Sequence, residues 1–518
     1  MLTSDFSQVP PKLALALVEP EHAARHIFHH ENVLGSSLEL KIAAPTETLA
    51  KQAESAALAE IDRVAKIIST YDSDSAFSRW SKTHQEAVEV APEIMEVLAL
   101  YDGWQERSQG ALNAGAESIF QLWEKAARDQ RLPDQREIEA ALAIARSPHW
   151  RLDLAQGTAM HLGKAPLILN AAGKGYIVGL AGKAAMAVKG VRGAVVNIGG
   201  DICVKGDLSE TVDIANPRDP AENAWPIARI ALRNQAVATS GDYRRGVDIA
   251  GRHFSHIVDP RTGHPVNYVI SATAVAPEAG DADALATIFS VLTLEESVRL
   301  ADELPGVECL LITKDGKRAM SRNWSRGEMP IQLAALGDFQ LVSNEPTSPP
   351  PSVATPDSPD WKSSCELVVN LEVAHIQEQR ARRPYVAVWV EDKDNFSVRT
   401  LALWFNAREV KYLKELRSWN QADQMRALAE GSDIKASVSG ATRAAGKYTL
   451  KWDGKDNAGK PVKAGKYKVL IEVSREHGTH QLIEKEMDFS GVPQHIDVPA
   501  NPEIAGVSFD YRQKIEAK

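Results

Sequence analysis

The sequence predicts an α+β domain that is followed by an all-β sandwich of immunoglobulin-like size. In the first part of the chain, helical periodicity alternates with short β-branched runs, which is typical of mixed α and β structure. A stretch rich in proline, serine and threonine then runs from Ser343 to Asp360. Beyond it, short strands of alternating hydrophobicity are separated by turn residues. At 518 residues the chain is also too long for one ordinary core.

Composition places the domain boundaries. The proline-rich stretch lacks the apolar residues of a core, which predicts a linker. We therefore divide the chain into an N-terminal extension over residues 1–29, the α+β domain over 30–335, the linker over 336–360 and the β-sandwich over 361–518.

Local patterns predict the main elements. An amphipathic run that ends near Ser69 predicts a helix, and AVVNI around Val195 predicts a strand. YVAVWVE from Tyr385 and KYKVLIEV from Lys466 predict strands of the sandwich. Between Trp452 and Tyr467, Asp-Gly and Asn-Ala-Gly favour positive φ and predict a turn between two strands.

Charge and hydropathy exclude several function classes. The net charge of −10 carries no basic stripe, so we predict no nucleic-acid partner. Every apolar stretch is broken well short of the roughly 20 residues that a spanning helix needs, so we predict no transmembrane segment. The first residues lack a basic start and a sustained apolar run, so no export signal is predicted. The three cysteines, Cys203, Cys309 and Cys365, have no paired spacing and are expected to be ordinary buried thiols.

The segment GDADALAT, from Gly280 to Thr287, combines hard oxygen ligands with helical spacing. It opens a helix predicted to continue through FSVLTLEESVRLADEL. Asp283 and Thr287 are four residues apart and therefore lie on one helix face. A carboxylate and a hydroxyl so placed suit Mg²⁺, which takes one or two protein carboxylates and leaves other positions to water and phosphate. The alternative is N-terminal capping, in which Asp281 or Asp283 satisfies free backbone N–H groups while Thr287 packs inward.

Two glycine-rich runs and one histidine turn are further candidates. NAAGKGY, from Asn170 to Tyr176, and NIGGD, from Asn197 to Asp201, would let backbone approach a phosphate or flat ring, with Lys174 supplying charge. They match neither a P-loop nor a dinucleotide fingerprint, and tight turns are the alternative. In HIVDPRTGHPV, the turn signal places His256 and Asp259 at a loop rim, where the histidine is either a general base or simply solvated.

In combination and order, these motifs resemble the ApbE family of FAD:protein FMN transferases. LGSS at Leu34, STYDSDSAFSRW from Ser69 and SQGALN from Ser108 are followed by KGY, NIGGD, TSGDY, HIVDPRTG and ADALAT. The resemblance covers about residues 30–330. It implies a two-lobed α+β domain that binds FAD in a cleft with magnesium on the pyrophosphate.

The resemblance also implies roles for individual residues. Asp283, Thr287 and the backbone carbonyl of Gly173, where alanine is common in the family, are implied metal ligands. His256 is implied near the reacting phosphate, with His256 or Asp259 as the catalytic base. The implied cofactor-binding residues, which line the flavin or adenine or approach the phosphates, are Leu34, Tyr71, Ala111, Leu112, Asn113, Asn170, Lys174 and Tyr176.

Three residues depart from the family pattern. Leu34 stands where methionine is usual, Asn113 where aspartate is common, and Gly179 where aspartate often follows KGY. These departures concern the flavin contacts more than the metal site. The implied reaction is attack of a Thr or Ser hydroxyl of a target flavoprotein on the FMN phosphorus of FAD, with release of AMP. The alternative is a flavin-binding electron-transfer protein with weak or no transferase activity.

The C-terminal part resembles an uncharacterised β-rich domain that is found with such transferases. It contains Ser439-Gly440-Ala441-Thr442, similar to the short S/T-G-A-T/S motif that carries the acceptor hydroxyl in substrates of the family. We therefore hypothesise that Thr442 is an FMN acceptor. A polar loop is the alternative.

Two other features of the C-terminal part, and the compartment, leave alternatives open. Four tryptophans, Trp389, Trp404, Trp419 and Trp452, could shelter a flavin ring but are expected to fill the sandwich core. His477 and His480 could hold a metal, but without a third and fourth ligand in view they are expected to be surface groups. Family resemblance favours the periplasm or the periplasmic face of the inner membrane. The predicted lack of an export signal favours the cytoplasm.

Overall fold

The computed structural model describes most of both predicted domains. The described residues are 24–163, 165–219, 221, 223–224, 226–241, 246–324, 360–375, 383–405, 415–430, 434, 439–440, 442–443, 445–475 and 479–514. Apart from Asp360, the predicted linker lies outside them.

The N-terminal domain contains eight α-helices and seventeen strands within the described residues. The helices are α1 Glu47–Ile68, α2 Ala76–Trp80, α3 Pro92–Arg107, α4 Glu117–Arg128, α5 Gln135–Ala145, α6 Gly173–Ala187, α7 Ala279–Val291 and α8 Leu294–Glu303. The strands are β1 Ala24–Val33, β2 Ser36–Ala44, β3 Ala87–Glu89, β4 Trp150–Asp153, β5 Thr158–His161, β6 Gly193–Ile198, β7 Asp201–Gly206, β8 Glu210–Ile214, β9 Ala228–Leu232, β10 Ala236–Gly241, β11 Gly246–Ile249, β12 Arg252–Ser255, β13 Val258–Asp259, β14 His264–Pro265, β15 Val269–Ala276, β16 Glu308–Thr313 and β17 Arg318–Met320.

An eight-stranded antiparallel sheet organises this domain, in the order β1-β2-β6-β7-β10-β15-β16-β17. Helices α1, α6 and α7 cover one face and share its main hydrophobic core. The β8–β9 hairpin covers part of the other face. A smaller cluster joins α4 and α5 to β11, β12 and β13, which gives the domain its second lobe. The α+β prediction is confirmed.

One end of the central sheet gathers several turns, and we name it the upper end. The β1–β2 turn at Leu34–Gly35 and the β6–β7 turn at Gly199–Gly200 lie side by side there, because Leu38 pairs with Ile198. Strand β10 runs past the level of the β6–β7 turn, as its Val237 already pairs with Ile202. Antiparallel pairing through β15 then brings the end of β16 to the same end of the sheet.

The C-terminal domain is a two-sheet structure with one added helix. Its two sheets, in the orders β22-β18-β26-β25 and β21-β20-β19-β23-β24, enclose a common core. The four tryptophans named above are buried, but only Trp404 and Trp452 lie in the core between the sheets as expected, whereas Trp389 and Trp419 pack on the outer face of one sheet. The elements are β18 Cys365–Val373, β19 Tyr385–Glu391, β20 Ser397–Trp404, α9 Arg417–Glu430, β21 Ser439–Gly440, β22 Gly446–Trp452, β23 Lys466–Ser474, β24 His480–Asp488, β25 Gln494–Val498 and β26 Ile504–Gln513.

The structure corrects three expectations. The C-terminal domain is β-rich rather than all-β, since α9 packs Trp419 against the outer face of one sheet. The predicted long helix from Gly280 is two helices, because Thr293 caps a new one in a capping box with Glu296. The N-terminal extension was drawn too long, since β1 begins at Ala24.

Candidate active site at the start of helix α6

The first turn of α6 is the hub of the candidate site. Between Asn170 and Tyr176, almost every residue contacts a different element of the domain. Asn170 Nδ2 donates to the Tyr71 hydroxyl, the Ala171 N–H donates to the Tyr101 hydroxyl, and Lys174 pairs with a carboxylate of the β6–β7 turn. The free N–H groups and the dipole of a helix N-terminus favour anions such as phosphate.

Asp283 of α7 is fixed directly to this turn. Its Oδ2 accepts the Gly175 N–H at 2.9 Å, and its side chain is buried. The contact depends on Gly175 having no side chain: a Cβ there would collide with the Ala279 carbonyl oxygen and lie 2.6 Å from Asp283 Cβ. Helices α6 and α7 therefore cross at van der Waals distance, which places Asp283 within the anion-binding turn.

A second buried carboxylate, Asp201, shares the charge environment of Asp283. The Asp201 side chain is almost completely buried, and Lys174 Nζ lies 3.1 Å from its Oδ2. The two atoms attract as charges, but their geometry is not that of a hydrogen bond, so Oδ2 is left without one. Burial raises the pKa of Asp201. Burial and repulsion by Asp201 raise the pKa of Asp283 well above its usual value.

This arrangement fits a divalent cation. Two buried carboxylates are opposed by the single ammonium of Lys174, which leaves negative charge that a cation would neutralise. Asp283, Thr287 one turn further along α7, and the Gly173 carbonyl two residues before Gly175 provide three oxygen donors of the kind that Mg²⁺ prefers. The described residues contain no cluster of three or more His, Cys, Asp or Glu side chains suited to a metal.

The capping alternative for Asp281 and Asp283 is resolved by these contacts. The N-cap of α7 is Glu278, which makes no side-chain capping bond. Asp281 accepts the Trp104 indole N–H at 2.8 Å instead. Asp283 does satisfy a free helical N–H, but that of α6 rather than that of its own helix.

Gly173 tolerates the side chain that the family commonly has. A Cβ at this position would lie 3.7 Å from Leu169 Cβ and 3.8 Å from Ile68 Cδ1, which are ordinary contacts. The expectation that alanine and glycine are interchangeable here agrees with this geometry.

The sequence did not single out Tyr101, and it marked Ser240 only as part of the TSGDY motif without a role of its own. Tyr101 is fully buried, accepts the Ala171 N–H at 3.2 Å, and has its pKa raised by burial and by Asp283. Ser240 Oγ lies 3.4 Å from Thr287 Oγ1. No local motif marks Tyr101, and the contacts of both residues join elements that are far apart in the chain.

Several residues that the resemblance assigned to the flavin border this hub. Tyr71 is 78% exposed and is held through its hydroxyl by Asn170. Tyr176 donates its hydroxyl to Glu96 Oε2 at 2.6 Å, and burial together with Glu96 raises its pKa. Leu34 lies exposed in the β1–β2 turn with φ of 50°.

Ala111, Leu112 and Asn113 are buried in the wall of the domain. Asn113 Oδ1 accepts the Gly115 N–H, and Nδ2 donates to the Ala145 carbonyl, so this side chain caps the short 3₁₀ turn at Ala114–Ala116. The departure from aspartate at this position is therefore accommodated by a local hydrogen-bond set. A flavin contact of these three residues stays a prediction.

His256 and Asp259 lie between β12 and β14, and Asp259 is the last residue of β13. His256 is half-buried and follows directly after β12. Asp259 is buried, and its carboxylate receives the Arg261 backbone N–H at 2.8 Å and the Arg261 guanidinium at 3.0 Å. Its geometry is that of a residue that holds the turn, while its catalytic role stays a prediction.

Thr442 belongs to the C-terminal domain. It is half-buried, and its carbonyl accepts from the Arg383 guanidinium at 3.4 Å. Ala441, the TSGDY residues Asp242 and Tyr243, and His477 lie outside the described residues. His480 is 38% exposed and pairs with Glu472, and the three cysteines are buried as expected.

The first domain is thus an α+β domain with two buried carboxylates at the N-terminus of helix α6. Comparison with known proteins gives the family. The ApbE family matches residues 34–311, more than half of the chain, and this chain belongs to it. A second family, described as a predicted periplasmic protein (DUF2271), matches residues 366–505.

Curated relatives and solved structures agree with this membership. The chain is 27% identical over 269 residues to the FAD:protein FMN transferase of Escherichia coli K12, covering 50% of this chain and 75% of the relative. It is 29% identical over 275 residues to that of Haemophilus influenzae, covering 49% and 78%. The structure of the ApbE protein of Thermotoga maritima superposes with a TM-score of 0.51 at 26% identity, covering 59% of this chain and all of that one. The apo flavinyl transferase ApbE of Pseudomonas stutzeri, at 22% identity and a TM-score of 0.50, shares the fold.

No helix within the described residues is long and apolar enough to cross a membrane.

Proposed function

We propose that this chain is an FAD:protein FMN transferase whose first domain uses magnesium to transfer FMN to a Thr or Ser hydroxyl. The observation that carries the proposal is the buried pair of Asp283 and Asp201 at the start of α6, which combines an anion-binding helix end with uncompensated negative charge. Purely structural carboxylates in a core are normally paired and hydrogen-bonded. Family membership and the curated relatives support the same activity.

Asp283, Thr287 and the Gly173 carbonyl would hold the magnesium. When bound, the cation would neutralise charge on the pyrophosphate and on the AMP leaving group. Asp283 is held in place for this role by the Gly175 N–H, which occupies Oδ2 and leaves Oδ1 for a cation.

The chain's own residues orient FAD. The α6 N-terminus and Lys174 would attract the pyrophosphate, since both present positive charge at the same turn. Tyr71 and Asn170, tied by a hydrogen bond, and Tyr176, held by Glu96, would line the flavin or the adenine. Leu34 and the stretch from Ala111 to Asn113 would complete this surface, as the family resemblance implies.

The transfer breaks the phosphoanhydride bond of FAD and forms a phosphoester. The acceptor hydroxyl oxygen bonds to the FMN phosphorus, AMP leaves with the bond electrons, and the hydroxyl proton goes to a base. We assign His256 as that base. We assign Asp259 to positioning the turn that carries His256, because the Arg261 guanidinium already occupies its carboxylate.

Thr442 is our proposed acceptor within the chain, as part of the S-G-A-T motif, and a separate flavoprotein with such a motif is the other acceptor. The match to a predicted periplasmic domain favours the periplasm as compartment. We also assign the C-terminal domain to an immunoglobulin-like class of sandwich, because its two sheets, antiparallel except for the short parallel pairing of β20 with β21, enclose one core.

Intact-mass measurement tests the proposal. The purified chain is incubated with FAD and magnesium, denatured and weighed, and AMP release is followed with and without an added S-G-A-T peptide. A mass gain of one FMN that Asp283→Ala and Thr442→Ala each abolish supports both the transferase and the acceptor. AMP release only with the peptide retains the transferase and removes Thr442. If both the mass gain and AMP release are absent, the proposal is contradicted, and a flavin-binding electron-transfer protein is favoured instead.

A further inference from the structure

A loop of the first domain binds the edge of the second domain's sheet. Residues 215–227 connect β8 to β9, and Asn223 in this loop makes two hydrogen bonds with one residue of β22. Asn223 Nδ2 donates to the Lys451 carbonyl at 2.7 Å, and the Lys451 N–H donates to Asn223 Oδ1 at 3.0 Å. Lys451 Nζ also lies 2.9 Å from Asp219 Oδ1. Three polar contacts thus converge on a single residue of the C-terminal domain.

The strand that receives these contacts has an open edge. Strand β22 is the end strand of its sheet and pairs only with β18 there, where Lys451 stands opposite Val368. In an antiparallel ladder, backbone groups alternate between the paired side and the free side. The N–H and C=O of Lys451 both face the free side, since both bond to Asn223. The carboxamide of Asn223 therefore takes the place that a neighbouring strand would take, and so covers an edge that would otherwise invite pairing with another chain.

The loop is built to hold this position. Asn216 Oδ1 accepts the Arg218 N–H at 3.0 Å, and Asp219 Oδ1 accepts the Ala221 N–H at 3.2 Å in addition to the lysine. The Ala224 N–H donates to the Ala221 carbonyl at 3.0 Å. Asn223 and Asp219 are therefore presented by a structured turn within the described part of the loop.

The same loop is anchored at the upper end of the central sheet. Arg218 NH2 donates to the Lys314 carbonyl at 2.6 Å, in the turn that follows β16. That turn lies at the upper end, three strand spacings from β7, or roughly 15 Å across the sheet. The β6–β7 turn that leads into Asp201 is at the same end. The contact with β22 thus places the second domain at the end of the sheet where the candidate site lies.

We propose that residues 215–227 form a docking clamp, with Asn223 as its main contact and the Asp219–Lys451 ion pair as its second, that fixes the C-terminal domain beside the active-site end of the transferase domain. The clamp contacts involve neither flavin nor magnesium. The clamp can therefore be present whether or not the proposed transfer reaction takes place, and it is tested independently of that reaction.

Amide exchange at one residue gives the sharpest test. The Lys451 N–H owes its protection to Asn223, whereas the neighbouring amides of Leu450 and Trp452 face β18. Asn223→Ala should speed exchange at Lys451 roughly tenfold, the size of one lost hydrogen bond, and leave those two neighbours protected. Asp219→Asn is the matched variant, because it removes the ion pair and retains the Asn223 contacts, so Lys451 should stay protected. Unchanged exchange at Lys451 in Asn223→Ala overturns the clamp.

A distance measurement tests the docking itself. Leu154 and Leu428 are exposed residues of the two domains, and cysteines placed at both positions can carry spin labels. The protein with an intact clamp should give one narrow distance distribution, and the added Asn223→Ala change should broaden it. A distribution that is already broad with the clamp intact, or one that Asn223→Ala leaves narrow, contradicts the proposal.

Discussion

Each domain buries a carboxylate against the N-terminus of a helix, and the two differ in how fully they are satisfied. In the C-terminal domain, Glu472 accepts the N–H groups of Ser418 and Trp419 at the start of α9 and pairs with His480 at 2.7 Å. In the first domain, Asp283 accepts one N–H of α6 and is repelled by Asp201.

The difference lies in whether the fold alone satisfies the carboxylate, and it supports the proposed binding role of Asp283. Glu472 has hydrogen bonds on both oxygens and an adjacent imidazole, so its site is complete within the fold. Asp283 and Asp201 together face one ammonium and include an oxygen without a hydrogen bond. Burial in such a state is costly unless a ligand supplies the missing charge, which is why we propose the binding site in the first domain.

The largest expected effect follows from neutralising Asp283, the carboxylate whose charge is not balanced within the fold. Asp283→Asn retains the shape and an acceptor for the Gly175 N–H but loses the charge. Transfer should fall by at least about 100-fold, since even changes to groups that only support a metal ligand cost 10–100-fold. AMP release at saturating magnesium measures it. Activity within a few fold of the parent would remove the proposed metal role of Asp283.

The corresponding change at Glu472, whose hydrogen bonds are satisfied within the fold, should affect stability alone. Glu472→Gln removes the charge that α9 and His480 share, and we expect the C-terminal domain to lose about 1–3 kcal/mol of unfolding free energy. Chemical denaturation followed by tryptophan fluorescence measures the loss, because Trp419 packs at this site. Transfer to an added peptide should stay unchanged. A large fall in that activity would contradict the distinction between a stabilising role for Glu472 and a binding role for Asp283.

Glycine substitutions in α6 probe how closely the hub is packed. Gly175→Ala would force a Cβ into the Ala279 carbonyl, so it should destabilise the first domain by about 1–3 kcal/mol and displace Asp283. Gly173→Ala, two residues earlier, meets only ordinary contacts and should leave stability and activity near those of the parent. Thermal denaturation and AMP release on the pair check both statements. Equal tolerance of the two variants would contradict the crossing of α6 and α7 described above.

The residues proposed as metal ligands were easier to predict than their surroundings. The spacing of Asp283 and Thr287 on one helix face is visible along the chain, although only the family resemblance implied their role as ligands. Asp201 stood within a glycine-rich motif, but its burial beside Asp283 depends on a β-turn meeting a helix from elsewhere in the sequence.

Two errors in the predicted secondary structure have similar causes. The helix predicted from Gly280 was drawn through Thr293, although T-L-E-E there is a capping-box signal. Helix α9 was missed because its polar residues show little amphipathic periodicity. It is held instead by Trp419 and by the Glu472 contacts, which only tertiary structure creates.

The acidic pair should also make the stability of the metal-free protein depend on pH. The pKa values of Asp283 and Asp201 are raised in the folded state, mainly by burial. Their favourable contribution is therefore fully present below the unfolded pKa, about 3.8, and is lost as pH rises through the raised values. With a chelator present, Asp283→Asn should gain stability over the parent as pH increases. Magnesium should reduce this gain, and thermal denaturation at several pH values measures both. A stability difference between Asp283→Asn and the parent that does not vary with pH would contradict the repulsion between Asp283 and Asp201.

The smallest expected effect concerns Tyr101, which contacts the turn before α6 but is not a proposed ligand. Tyr101→Phe removes the hydroxyl that accepts the Ala171 N–H, two residues before the Gly173 carbonyl. One neutral hydrogen bond is worth about 1 kcal/mol, so we expect magnesium affinity to fall by a few fold, while the fold and the core packing of the ring persist. Calorimetric titration of magnesium measures this separately from turnover. Because the hydroxyl acts only on the position of the turn, the maximal rate at saturating magnesium should change less than the affinity. A loss of rate without a loss of affinity would instead assign Tyr101 to the chemistry.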